Sequence, residues 1–114
     1  MEASYNLGHM YSEGLRVPKS DEKAAKYYTI ASEGGNARAS FSLGFMYELG
    51  LGVPQSYEKA FYYYTIASKG GVVFGSYLLG RLYYFGQGTS QSYDEAVKLY
   101  KSASKVDPCR QLAN

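Results

Sequence analysis

The chain has 114 residues, 46% of them hydrophobic and 19% charged, which excludes a disordered tail and a collagen-like fibre. Twelve basic residues against ten acidic leave a formal charge of +2, too little to argue for nucleic acid or an anionic membrane surface. A single cysteine, Cys109, excludes an internal disulfide framework and a multi-cysteine metal site, and no apolar stretch approaches the ~18 residues of a membrane span.

Read from the start, the pattern predicts a helix over 2–13, stopped by Gly14. A second follows over 20–33, with Ser20 as its N-cap and Glu22 in its first turn, where the helix dipole favours a carboxylate. Gly34-Gly35 ends it. The third, 38–49, carries an apolar stripe of Ala39, Leu43, Met46 and Tyr47 at spacings of 4, 3 and 1. Gly50-Leu51-Gly52-Val53-Pro54 stops that helix, because glycine takes the left-handed C-terminal geometry and proline cannot continue. Ser56 caps the fourth, 56–69, in which Ala60, Tyr64 and Ala67 align before Gly70-Gly71. The fifth spans 74–85. The sixth spans 92–105, opening on Ser92 and Glu95 at capping-box spacing.

The second pair of helices copies the first, and the third copies the second. Leu7-Gly8, Leu43-Gly44 and Leu79-Gly80 are 36 residues apart, as are Tyr11, Tyr47 and Tyr83. Residues 3–36 match 39–72 at 22 of 34 positions, and 39–70 match 75–106 at 14 of 32. One register held through both comparisons means three tandem units: 1–36, 37–72 and 73–107, with a short tail over 108–114. The expected fold is all-α, a stack of three antiparallel helix pairs in a single domain. A two-helix unit cannot bury both faces alone, so neighbouring units supply its core. Mid-helix Gly8, Gly44 and Gly80 each cost about 1 kcal/mol against alanine; close approach of a neighbouring helix is the reason expected for them. Tyr28, Tyr64 and Tyr100 recur at the repeat step and are expected to pack, not to serve as base-stacking platforms.

The run of Ala39, Leu43, Gly44, Tyr47, Gly50, Gly52, Val53, Pro54, Lys59, Ala60, Tyr63, Tyr64, Ala67 and Gly70 resembles the Sel1-like repeat, over residues 3–106. That resemblance implies a right-handed superhelical solenoid related to tetratricopeptide repeats. It also implies an adaptor role, gathering other proteins as family members do in membrane-protein degradation, chitin synthase activation and bacterial host interaction. The chain departs from the pattern at Arg16, where the second loop glycine is expected, and at Thr89-Ser90, which replace Val-Pro. The Val106-Asp107-Pro108 ending is closer to the tetratricopeptide style. A lone Cys109 separates the chain from the cysteine-rich branch of the family.

No catalytic constellation is expected. His9 is the only histidine, and a lone ligand holds no metal. Cys109 beside Arg110 reads as inert, no phosphate-binding glycine loop follows a strand, and no cofactor is implied. The absence of a leader, a disulfide pattern and an Asn-x-Ser/Thr sequon tilts the expected compartment toward the cytoplasm, and a fragment of a larger protein would look the same.

A protein or peptide partner is therefore the expected ligand. The resemblance to tetratricopeptide repeats puts its groove on the first helix of each pair, at positions that vary between units. These are His9, Ser12 and Glu13 in the first unit, Phe45, Glu48 and Leu49 in the second, and Tyr77, Arg81, Tyr84 and Phe85 in the third. Tyr5, Phe41 and Tyr77 are aromatic in every unit and fit either the groove or the core. Aromatics around Arg81 make the third unit the richest in residues that dominate binding energy. The alternative is self-association into a homo-oligomer, with uncapped ends stacked on neighbouring copies.

Overall fold

The computed structural model describes residues 2–105. Among them are six helices: α1 (Glu2–Glu13), α2 (Asp21–Glu33), α3 (Ala37–Leu49), α4 (Tyr57–Lys69), α5 (Val73–Phe85) and α6 (Tyr93–Lys105). Each lies within one residue of the bounds expected from the caps and stops. Helices pack chiefly on the helix before and the helix after them, which makes a solenoid of antiparallel pairs measuring 42 × 37 × 21 Å.

The caps explain the register. Ser20, Ser56 and Ser92 each accept the N–H three residues on, from Lys23, Lys59 and Glu95, at 3.2 Å. Their own N–H groups donate to the carbonyls of Tyr11, Tyr47 and Tyr83, at 2.9, 2.8 and 3.0 Å. The reciprocal half of the capping box suggested by Ser92 and Glu95 is therefore not made. The Ser92 amide is committed to tying the second helix of the pair to the end of the first, and the Glu95 carboxylate lies 3.6 Å from Lys98. Asn36 caps α3 through a 3.0 Å bond from Ala39 N–H, and Val72, its counterpart before α5, provides no such bond.

The core sits between units. One cluster joins Ala24, Ala25, Tyr28 and Ala31 of α2 to Ala39, Leu43 and Met46 of α3. The other joins Ala60 and Tyr64 of α4 to Leu79 and Leu82 of α5. Paired hydroxyls pin both seams, Ser32 with Ser40 and Ser68 with Ser76, each at 2.6 Å. The mid-helix glycines are sites of close approach: a Cβ on Gly44 would stand 2.5 Å from Tyr64 Cδ1, and one on Gly8 would stand 2.7 Å from Tyr28 Cδ1. Part of the tyrosine excess is thereby packing at one repeated position.

The departure at Arg16 has a steric meaning. Gly52 and Gly88 occupy the second glycine position of the later loops with φ of +72° and +76°. Arg16 adopts the same left-handed geometry, φ +63°, and is the only non-glycine residue with positive φ among those described.

Candidate protein-binding face

The first helix of each pair presents an aromatic against a repeated tyrosine of the second, buried at Tyr28 and Tyr64 and partly exposed at Tyr100. Tyr5–Tyr28, Phe41–Tyr64 and Tyr77–Tyr100 have ring centroids 5.7, 6.1 and 5.6 Å apart, all tilted. Position by position, the answer to whether these rings are core or groove differs. Tyr5 and Phe41 are half-buried against the core clusters, whereas Tyr77 is 49% exposed.

Four of the expected residues come together. His9, Ser12, Glu13 and Phe45 line one cleft of about 270 Å³ between α1 and α3, floored by Tyr28 and Met46. Tyr77 opens a second cleft of about 710 Å³ with Phe41, Phe74 and Tyr100. Tyr84 faces a third, of about 350 Å³, against Tyr93 and Val97 of α6. Leu49 and Phe85 line none of these clefts and stand exposed at the ends of α3 and α5.

Glu48 and Arg81 meet each other. The Arg81 guanidinium donates to Glu48 Oε2, and Tyr64 Oη donates to Glu48 Oε1 at 2.8 Å. The Glu48 side chain is only 11% exposed and that of Arg81 is 34% exposed. This ties α5 to α3 and α4. Burial, with Glu48 accepting the hydroxyl proton, pushes the Tyr64 pKa far above the ordinary phenol value.

Phe74 is the residue that sequence reasoning missed. It is 57% exposed and borders both the 710 Å³ cleft and a larger one, about 980 Å³, that touches the first turns of α1, α3 and α5. A signal was available: its counterparts are Glu2 and Arg38, so this position changes character in every unit. Among the described residues no three of His, Cys, Asp and Glu gather as metal ligands, and no helix is long and apolar enough to cross a membrane. Cys109 and the tail over 108–114 lie outside the described residues.

The Sel1 repeat family model matches residues 2–36, 37–72 and 74–106. The chain belongs to the Sel1 repeat family. A crystal structure of a Sel1 repeat protein from Oxalobacter formigenes superposes with a TM-score of 0.89 at 34% identity, covering 91% of this chain and 43% of that one. The c5321 protein, a protective antigen of uropathogenic Escherichia coli with an SLR fold, gives 0.87 at 32% identity, covering 91% of this chain and 22% of that one. Helicobacter pylori cysteine rich protein B gives 0.76 at 25%, covering 90% and 80%. The chain thus spans less than half the length of the first two. Sel1 repeat proteins are generally interaction scaffolds, and the all-helical solenoid is the architecture they share with this one.

Proposed function

We propose that this Sel1 repeat stack is a protein-binding scaffold that receives a peptide or a partner helix along the side formed by α1, α3 and α5. The observation that carries the reading is the density of exposed aromatic rings on that side: Phe45, Phe74, Tyr77, Tyr84 and Phe85, at 43, 57, 49, 44 and 61% exposure. Soluble surfaces rarely hold so many large rings on one side without use for them, and rigid aromatics anchor interfaces at low entropic cost. The clefts beside Tyr77 and His9 give such anchors concave neighbours. Ser12, Glu13 and Leu49 would stand at the rim, where contacts steer and orient more than they bind.

A photo-crosslinking amino acid at position 77 or 85 tests this, with the same group at Tyr62 as control, since Tyr62 is 60% exposed on a second helix. Crosslinks to a protein partner from positions 77 and 85 but not 62 are expected. The double variant Phe74→Ser/Tyr77→Ser should then weaken that partner's Kd by at least about tenfold. Equal crosslinking from all three positions, or an unchanged Kd, overturns the reading.

End-to-end association of copies has one observation in its favour. Leu7 is 37% exposed, while its counterparts Leu43 and Leu79 are buried at 0% and 6% by the preceding unit.

A further inference from the structure

We infer that the cleft between α1 and α3 receives an arginine side chain of a protein partner. The inference rests on the scaffold reading and names the chemistry of one contact within it. The second seam of the stack supplies the chemical template. There Arg81 of α5 donates to Glu48 of α3, and Glu48 also accepts from the Tyr64 hydroxyl. A guanidinium, a carboxylate and a buried phenol thus meet where α5 joins α3 and α4. One repeat earlier, the counterparts of Tyr64, Glu48 and Arg81 are Tyr28, Ser12 and Phe45. All three line the cleft of about 270 Å³. The phenol is kept, and Tyr28 is only 4% exposed. A carboxylate is kept too, one position along the helix at Glu13, and it lines the same cleft. The guanidinium alone has no counterpart, because Phe45 stands at its position.

The charges of the lining favour the same group. It carries two carboxylates, Glu13 and Asp21, and no lysine or arginine. Asp21 is already paired with Lys19 at 3.0 Å. Glu13 has no ion-pair partner among the described residues. The hydroxyls of Ser12 and Ser42 stand beside that of Tyr28, and each can accept an N–H. A carboxylate or phosphate entering here would meet like charge, which costs affinity. A cation is complemented, and arginine suits the site better than lysine. Its guanidinium is weakly hydrated, stacks on aromatic rings and divides its donors between a carboxylate and hydroxyls. The rings of Tyr5, Phe41 and Phe45 line the cleft for such stacking. A lysine ammonium would give up more hydration to enter among them. The size agrees, since sites for drug-sized ligands begin at about 300 Å³. Every lining residue belongs to the first two units, between two described helices.

The test titrates the isotope-labelled full chain with N-acetyl-arginine N-methylamide and follows backbone amides by NMR. Saturating shifts at millimolar probe are expected at Ser12, Glu13, Ser42 and Phe45. The citrulline analogue, of similar shape without the charge, should leave those amides unmoved, and the lysine analogue should bind more weakly than arginine. Glu13→Gln should weaken the arginine probe by about threefold. Ser12→Glu/Phe45→Arg, which grafts the pair of the second seam into the first, should abolish binding because the chain then supplies its own guanidinium. Positions 12, 13 and 45 are exposed or half-buried, so the variants are expected to keep the fold. Absence of a saturating shift, either analogue matching arginine, an unchanged affinity in Glu13→Gln, or binding that survives the graft overturns the inference. The probe needs no partner, so this failure is separable from that of the scaffold reading. Crosslinks from positions 77 and 85 without arginine binding would sink this contact and keep the scaffold. Arginine binding without those crosslinks would sink the scaffold, and with it the claim that the arginine comes from a partner.

Discussion

Replacing the repeated helix glycine with alanine should cost stability at one unit and almost none at another. A methyl at position 44 would stand 2.5 and 2.6 Å from Cδ1 and Cε1 of Tyr64, about 1 Å inside ordinary carbon–carbon contact. The ring cannot retreat. It is fully buried, its hydroxyl is bound to Glu48, and Phe41 lies across it. Overpacking of this kind reaches about 3 kcal/mol, against a helix-propensity gain of about 1 kcal/mol, so Gly44→Ala should lose about 2 kcal/mol. At position 80 the nearest ring atoms of Tyr100 are 2.9 and 3.1 Å away, and that ring is partly exposed and able to swing. There the gain and the cost should cancel to within about 0.5 kcal/mol. Gly8→Ala, at 2.7 Å from Tyr28, should fall between. Urea unfolding followed by circular dichroism would show a midpoint lowered by about 1 M for Gly44→Ala and little changed for Gly80→Ala. If Gly44→Ala unfolds at the wild-type midpoint, or Gly80→Ala is damaged equally, close packing is not the reason these glycines are there.

Two further outcomes follow from the Glu48 network and the buried phenols. Glu48→Ala leaves the Tyr64 hydroxyl without its acceptor and should cost about 2–3 kcal/mol, whereas Glu48→Gln keeps an acceptor and should cost about 1 kcal/mol; equal urea midpoints for the two would refute the assignment. Burial raises the pKa of Tyr28, Tyr63, Tyr64 and Tyr100 above the ordinary value of 10.0. The folded chain then keeps protons that the unfolded chain releases above that pH. The linked stability is complete below pH 10 and drains away as pH rises through 10 toward the folded values. Urea midpoints should therefore be level up to about pH 9 and fall steeply beyond pH 10; a midpoint unchanged at pH 11 would contradict the shifts.

Most of the fold could be read from residues because its determinants recur. Serines at 20, 56 and 92 and glycines at 14, 50 and 86 mark ends three times over, so each helix boundary was stated by more than one unit. The close approach at Gly44 was legible for the same reason. The binding face was legible only in part. Glu48 and Arg81 were each recognised as variable, but a repeat comparison says nothing about two single-copy residues 33 positions apart that pair across a seam. Their counterparts, Ser12 and Tyr84 for the first and His9 and Phe45 for the second, cannot make the pair, so the repeat holds no trace of it. Phe74 was not legible because it stands in the first turn of α5, ahead of the positions that the tetratricopeptide resemblance marks as lining a groove. Arg16 was visible as a departure from the pattern, but the reason its counterpart Gly52 lacks a side chain is the Asp21 backbone lying beside it, a distance that spacing does not encode.

The placement of both core clusters at the seams has a consequence for motion. Each interior helix is sheltered on two sides, while among the described residues the outer helices α1 and α6 each pack chiefly on one neighbour and bury only Gly8 and Ala96. Local opening in such an array costs least where one seam, not two, must be broken. Among the described residues, opening should therefore start at the outer helices, α1 from α2 and α6 from α5, on a timescale faster than global unfolding. Tyr84 and Tyr93, whose rings meet across the α5–α6 cleft at 5.2 Å, lie on the second of these hinges. A ligand that bridged them would slow the opening, and the cleft's width would be set by a thermal fluctuation instead of a rigid wall.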